Sequence, residues 1–239
     1  MKLTHDEFDS SILNIPTYKL SLYVDDDVSE IKHKIKIVSK GLICCFVSVA
    51  MKYIQALEML DFQLISIRNT YKKTEKQEEK NDLLSGYSIE SINTSADLTN
   101  EIIRELVIPI YQKSRYCIDP LISRENGLFI YEQWLRNSLD NKYADQCFLA
   151  RYKDKPIGIC TAKIKDEIGY IDLLGVLPEY QHKHVGINLL QKTLQYMERK
   201  GYSSSRVITE GENIIANVFY QKNHFILEKV DLVYHKHIC

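Results

Sequence analysis

Apolar and polar positions fall into blocks whose period changes several times along the 239 residues. Residues 17–24 are rich in β-branched, aromatic and leucine side chains suited to a strand. The DDDVSE that follows supplies Asp and Ser caps for a helix running to about Lys40. Gly41 then opens LICCFVSVA, an unbroken apolar run that predicts a strand buried on both faces. A short helix over Lys52 to Leu60 and the strand FQLISIRNTY complete a βαβαβ order. From Lys72 to Asp82 the chain reads KKTEKQEEKND, with almost no apolar residue, so a solvated linker and a domain boundary after residue 82 are expected there.

Beyond it, Tyr87 to Ile92 predicts a strand and Ser95 to Lys113 a helix that Pro109 kinks or ends. Leu128, Tyr131, Trp134, Leu135 and Leu139 recur at helical spacing, which makes 125–139 an amphipathic helix facing a core. Gln146 to Tyr152 and Pro156 to Ile164 flank the turn KDK as a hairpin, and Gly169 to Leu177 forms a third strand. A helix over Ile187 to Lys200 closed by Gly201, a strand at Arg206 to Thr209, a helix over Ile214 to Lys222 and a strand at Phe225 to Tyr234 follow. The class is α/β, with a mixed, mostly antiparallel central sheet flanked by helices.

Composition narrows the function. Thirty-one Lys and Arg against 32 Asp and Glu leave a formal net charge of -1, which provides no long-range field for nucleic acid or anionic lipid. The longest apolar run, Leu42 to Met51, is too short to cross a bilayer, and MKLTHDEFDS has no signal-peptide character. The six cysteines show no ligand spacing and read as reduced core residues, so a cytoplasmic protein with a small-molecule partner is expected.

The segment that carries chemistry is LLGVLPEYQHKHVGINLLQKTL, residues 173–194. An apolar strand stops at Pro178, crosses a polar loop and enters a helix through Gly186. Unpaired N–H groups at such a helix start suit a pyrophosphate. Val176, Pro178, Gln181 and Gly186 resemble the cofactor loop of the GNAT acetyltransferase superfamily, Gln/Arg-x-x-Gly-x-Gly/Ala after a Val-x-Pro strand end. His184 stands where that pattern has its middle glycine, a position that would favour glycine if φ is positive.

A second segment, NIIANVFYQKNHF, is similar to the other signature of that superfamily through Asn213, Ala216, Phe219, Tyr220 and Phe225, with His224 replacing a glycine. The resemblance implies a GNAT fold in residues 83–239 and acetyl-CoA as acyl donor, with no metal. It assigns cofactor contacts to Leu174, Val176, Gln181, His182, Lys183, His184, Val185, Gly186, Ile187, Asn213 and Tyr220. The chemistry agrees: amide formation from a thioester needs an oxyanion donor and a proton for the departing thiolate. The Val176 N–H is the expected oxyanion donor. Tyr220, with an ordinary pKa of about 10, is the expected acid.

The acceptor is narrowed by SRYCIDP, LFIYEQWLRNSL and DQCFLAR, which with FDSSILNIPTYKL resemble the dTDP-fucosamine acetyltransferases of surface polysaccharide synthesis. That resemblance implies a nucleotide-linked (dTDP) amino sugar as substrate. Arg115 is then expected at the diphosphate and Tyr116 at the base. Other small amines, a protein amine or a non-catalytic CoA-binding role stay open, as does a homodimer. Asp172, Glu210 and Glu212 are the carboxylates nearest the motifs. The pairs His182/His184 and His235/His237 read as solvated, not as metal ligands. IQALEMLDFQL can be laid on NVFYQKNHFIL with Phe62 over Phe225 and Leu57 over Tyr220, which suggests a truncated GNAT-like half over residues 1–82.

Overall fold

The computed structural model describes residues 1–23, 25–74, 85–92, 96–112 and 114–239. Residue 24, most of the expected linker, the boundary after residue 82 and the ends expected at Ser95 and Lys113 lie outside the described residues. The N-terminal elements are β1 (Lys2–His5), α1 (Glu7–Leu13), β2 (Thr17–Ser21), α2 (Ile31–Ile35), β3 (Gly41–Ser48), α3 (Met51–Glu58) and β4 (Gln63–Lys73). A 3-10 turn at Val28–Glu30, capped by the Asp27 side chain, precedes α2. The helix expected to reach Lys40 ends at Ile35, because the chain must turn there to bring Gly41 under Pro16. Gly41 has φ +135°, and an added Cβ would lie 2.1 Å from the Pro16 carbonyl oxygen, so no other residue fits.

The unbroken apolar run of β3 has a simple cause. Leu42 and Cys44 point into the core beneath α1, α4 and α6, while Ile43, Cys45 and Val47 point into the core beneath α2 and α3. The remaining elements are β5 (Tyr87–Ile92), α4 (Ala96–Tyr111), α5 (Arg115–Ile118), α6 (Arg124–Leu139), β6 (Gln146–Tyr152), β7 (Lys155–Lys165), β8 (Ile168–Val176), α7 (Val185–Arg199), β9 (Ser205–Glu210), α8 (Ile214–Lys222) and β10 (Ile226–Ile238). Pro109 sits in the last turn of α4, which stops two residues later.

All the strands join one ten-stranded sheet in the order β1-β2-β3-β10-β4-β9-β8-β7-β6-β5. Only β2/β3 and β8/β9 are parallel. The C-terminal strand β10 therefore lies between β3 and β4, and β4 pairs with β9. Around the β10/β4 pair the order is nearly two-fold symmetric, with β2, β3 on one side mirrored by β8, β9 on the other. The match extends to backbone detail. Phe62 N–H donates to the Leu57 carbonyl and Phe225 N–H to the Tyr220 carbonyl, each at 3.0 Å, after Asp61 at φ 59° and His224 at φ 62°.

Candidate active site

The strands β8 and β9 pair only at Gly169/Ser205, Tyr170/Arg206 and Ile171/Val207. Beyond that point β9 stays with β4 and β8 stays with β7, so the two parallel strands splay apart. A register shift between Thr161 and Ala162 of β7 leaves Asp172 opposite no residue and opens the splay. On the β7 side, Leu173 N–H donates to Thr161 Oγ1 and Leu177 N–H to the Ile157 carbonyl. Strand alternation then turns the N–H groups of Leu174 and Val176 toward the open wedge. Gly175 lets α4 lie on the strand, because a Cβ there would meet Ile110 Cγ2 at 2.3 Å.

At the end of β8, a 3-10 turn at Pro178–Tyr180 leads to the loop, and Gln181 Nε2 donates back to the Val176 carbonyl at 3.1 Å. His182 and His184 both take left-handed conformations, φ 59° and 62°. This explains physically why a glycine suits the position of His184. The first helical bond of α7 is Asn188 N–H to the His184 carbonyl, and His184 makes no side-chain cap. The N–H groups of Val185, Gly186 and Ile187 are thus left for an anion at the positive end of the helix dipole. A Cβ on Gly186 would touch Phe219 at 3.6 Å and Val176 at 3.7 Å, ordinary contacts that keep the helix start close to the wedge. Unpaired amides at a helix start can hold a phosphate group, and the splay leaves N–H groups of β8 without a strand partner. His182, Lys183 and His184 are exposed, and Lys183 Nζ donates to the Glu179 carbonyl.

Tyr220 is 4% exposed and packs against Tyr71, Phe219 and Phe225 with ring centroids at 6.2, 5.3 and 5.6 Å. Burial pushes its phenol well above the ordinary value, so it is un-ionised at neutral pH and its hydroxyl keeps a hydrogen to donate. Asn213 caps α8 by accepting from Ala216 N–H at 3.2 Å. The neighbouring Asn217, which carried no signal in the sequence, bonds the Glu210, Gly211 and Asn213 carbonyls and accepts from Asn69 Nδ2 and the Tyr71 hydroxyl. It ties α8 to β4 and β9 and so sets where Tyr220 stands.

On the opposite face of the sheet, the Trp134 indole N–H donates to Asp172 Oδ2 at 2.8 Å. Burial raises the Asp172 carboxyl to about 7, against the opposing pull of Trp134 and Lys163. Tyr111 stacks on Tyr131 at 4.8 Å, and its sealed hydroxyl has no partner among the described residues. Tyr116, expected to offer a ring face to the acceptor, is 1% exposed. Its hydroxyl donates to Asp9 Oδ2 and accepts from Arg115 Nη2.

The pair expected to be solvated at the C-terminus is not. His235 is 1% exposed, and its Nδ1 lies 2.6 Å from Asp119 Oδ2, with His237 Nε2 3.0 Å from the same oxygen. The correction has a topological cause: β10 continues to Ile238 because β3 pairs with it as far as Gly41. The three donor atoms lie within 4.8 Å of one another. With the Leu121 N–H on Asp119 Oδ1, two rings and an amide converge on one carboxylate, a hydrogen-bonded clasp between β10 and the α5–α6 connection. Among the described residues no helix is long and apolar enough to cross a membrane.

Residues 105–225 match the model of the Acetyltransferase (GNAT) family. The chain is 28% identical over 135 residues to the spore coat polysaccharide biosynthesis protein SpsD of Bacillus subtilis, covering 56% of this chain and 46% of that protein. It is 33% identical over 88 residues to a spermidine N(1)-acetyltransferase of Thermoplasma acidophilum, covering 36% of this chain and 55% of the other. In both cases the match spans only about half of the relative. Among solved structures, a GCN5-related N-acetyltransferase from Sphaerobacter thermophilus aligns over 99% of this chain and 76% of its own with TM-score 0.67 at 10% identity, a likeness of fold.

Proposed function

The chain belongs to the GNAT acetyltransferase family, and on that premise we propose that it acetylates the amino group of a nucleotide-linked (dTDP) amino-deoxy sugar by direct transfer. Acetyl-CoA is the donor, as in the family. In this reading the amides of Val185, Gly186 and Ile187 hold the diphosphate arm, and the N–H of Leu174 or Val176 meets the thioester carbonyl. Hydrogen bonds aimed at an oxyanion strengthen as charge develops there. Tyr220 protonates the departing thiolate. Asp172, half-ionised near neutral pH, takes the proton from the amine.

The observation that carries the transfer chemistry is the open wedge of β8 and β9, with an uncapped helix start at one end and Tyr220 beside it. The acceptor reading rests on the match to a polysaccharide biosynthesis protein and on Arg115, whose fork is bonded only to the Tyr116 hydroxyl among the described residues. The match to a spermidine acetyltransferase favours a second reading, a polyamine acceptor. Residues 1–82 are read as a reduced GNAT-like half in which Leu57 stands where Tyr220 stands, supported by the paired backbone bonds of Phe62 and Phe225. Use of acetyl-CoA suits a cytoplasmic enzyme.

Thiol release from acetyl-CoA, measured with dTDP-amino sugars, free amino sugars, spermidine and a lysine peptide, tests the proposal. Turnover confined to a dTDP-sugar supports it. Turnover with spermidine and none with any dTDP-sugar overturns the acceptor and leaves the chemistry standing.

A further inference from the structure

Arg68 and Arg115 come from opposite halves of the chain and rest on one aromatic ring. The Arg68 guanidinium carbon lies 4.9 Å and that of Arg115 5.2 Å from the centroid of Phe46. Among the described residues neither forms an ion pair. Arg115 makes one side-chain hydrogen bond, Nη2 to the Tyr116 hydroxyl at 2.8 Å, and Arg68 makes none. The Nε of each is sealed and without a partner, while the remaining terminal nitrogens of the two forks are not among the sealed atoms. Each guanidinium therefore rests on the Phe46 ring with its Nε sealed, and the terminal nitrogens are the atoms left to meet a partner.

The surrounding charges do not account for the pair. Asp231 and Glu210 face Arg68 across β10 and β9 without an ion pair to it: Asp231 Oδ1 is 2.9 Å from Lys229 Nζ but sealed and without a hydrogen bond, and Glu210 makes no ion pair among the described residues. Asp9 reaches Arg115 only through Tyr116. Burial and then Arg115 weaken the hold of Arg68 on its proton against the pull of Asp231 and Glu210, whereas at Arg115 burial is outweighed by Tyr116 and Tyr131, which strengthen its hold. Unpaired buried guanidiniums are costly unless an anion joins them.

We propose that Arg68 and Arg115, on the ring of Phe46, form the subsite that takes an anionic group of the acceptor, of phosphate or diphosphate chemistry. The position suits this role. Arg115 is within electrostatic reach of Tyr131, whose ring stacks on that of Tyr111, so the subsite borders the aromatic cluster that also holds Leu173 of β8. The inference rests on the acceptor reading above. It also gives the N-terminal half a task, since Arg68 and Phe46 belong to it.

The test uses protein saturated with CoA, so that the helix α7 site is filled, and titrates pyrophosphate, dTDP and, as a carboxylate control, malonate by calorimetry. Pyrophosphate and dTDP bind to the complex, and Arg68→Gln and Arg115→Gln each weaken them about ten- to a hundredfold, the loss of charge-assisted bonds. Arg68→Lys, which keeps the charge and loses the fork, weakens them less. CoA affinity serves as the folding control for every variant. Tighter binding of malonate than of pyrophosphate overturns the phosphate assignment, and binding that both Gln variants leave intact overturns the subsite. Arginine-dependent anion binding without turnover of any dTDP-amino sugar supports the subsite while refuting the nucleotide-sugar reading.

Discussion

Replacing Asp172 by Asn separates two consequences of burying one carboxyl. The Asn side-chain oxygen can still accept from the Trp134 indole, so the hydrogen bond at 2.8 Å survives and only the ionisation is removed. Raising the carboxyl from 3.8 to about 7 makes its charged form less favourable in the fold than in the unfolded chain. The difference is about 4 kcal/mol, at ~1.36 kcal/mol for each tenfold change in proton affinity. Between the two values the folded protein holds a proton that the unfolded chain has lost, so this group's contribution falls as pH rises and its full cost is present above about 7. The variant therefore matches the parent near pH 4 and is up to ~4 kcal/mol more stable at pH 8 in urea unfolding. In kinetics, the parent kcat/KM rises with pH through a midpoint near 7 as the base ionises. The variant loses that limb and about 10²- to 10⁴-fold in rate. A stability gain equal at both pH values would refute the buried titration. A midpoint near 7 that persists in Asp172→Asn would place the base elsewhere.

Removing the acid by Tyr220→Phe lowers kcat about 10²- to 10⁴-fold with CoA affinity unchanged, measured by thiol release and calorimetry; unchanged turnover would remove Tyr220 from the chemistry. His184→Gly relieves a left-handed conformation that costs about 1–2 kcal/mol, partly offset by greater freedom of the unfolded chain. A melting point raised by a few degrees is expected, and a lower one would mean that the imidazole contributes more than strain. At the clasp, burial pushes Asp119 up, but hydrogen bonds from His235 and His237 hold it well below the usual range. Burial lowers His235 below its ordinary 6.5. Both groups contribute stability above those ordinary values and lose it as pH falls through the folded ones, opposite in sign to Asp172. His235→Asn, which keeps a donor and cannot charge, should flatten the loss of stability below pH 6.5; an unchanged slope in chemical unfolding would place its origin elsewhere.

What could be read before folding was local, and what could not depended on partners far away in sequence. The apolar run of β3, the hairpin of β6 and β7 and the loop before α7 are written in neighbouring residues, and each stands where its pattern places it. The exposed loop histidines His182 and His184 were legible for the same reason. The length of β10 was not, because residues 235–237 are polar by pattern and, with Ile238, become strand only through pairing with residues 41–44 of the other half. His235 is accordingly a buried partner of Asp119, a contact across 116 positions. Arg68 gave no signal either: within FQLISIRNTY it reads as an ordinary strand residue, and its meaning comes from Phe46 and Arg115.

The same long-range pairing explains why a half without a cofactor loop would be retained. With β10 seated between β3 and β4, and β4 against β9, neither half has a complete sheet without the other. Each exchanged strand also carries what the other half needs. β4 brings Tyr71 against Tyr220 and offers its hydroxyl to Asn217, fixing the helix that holds Tyr220, while β10 brings His235 to the segment just after Arg115 and Tyr116. A substitution that loosened the β4/β9 pairing would therefore disturb acid and subsite together, because Arg68 and Tyr71 lie three residues apart on the same strand. On the proposed reading the N-terminal half needs no cofactor loop of its own, because its strands serve by bracing α8 through Tyr71 and Asn217 and by carrying Arg68 and Phe46.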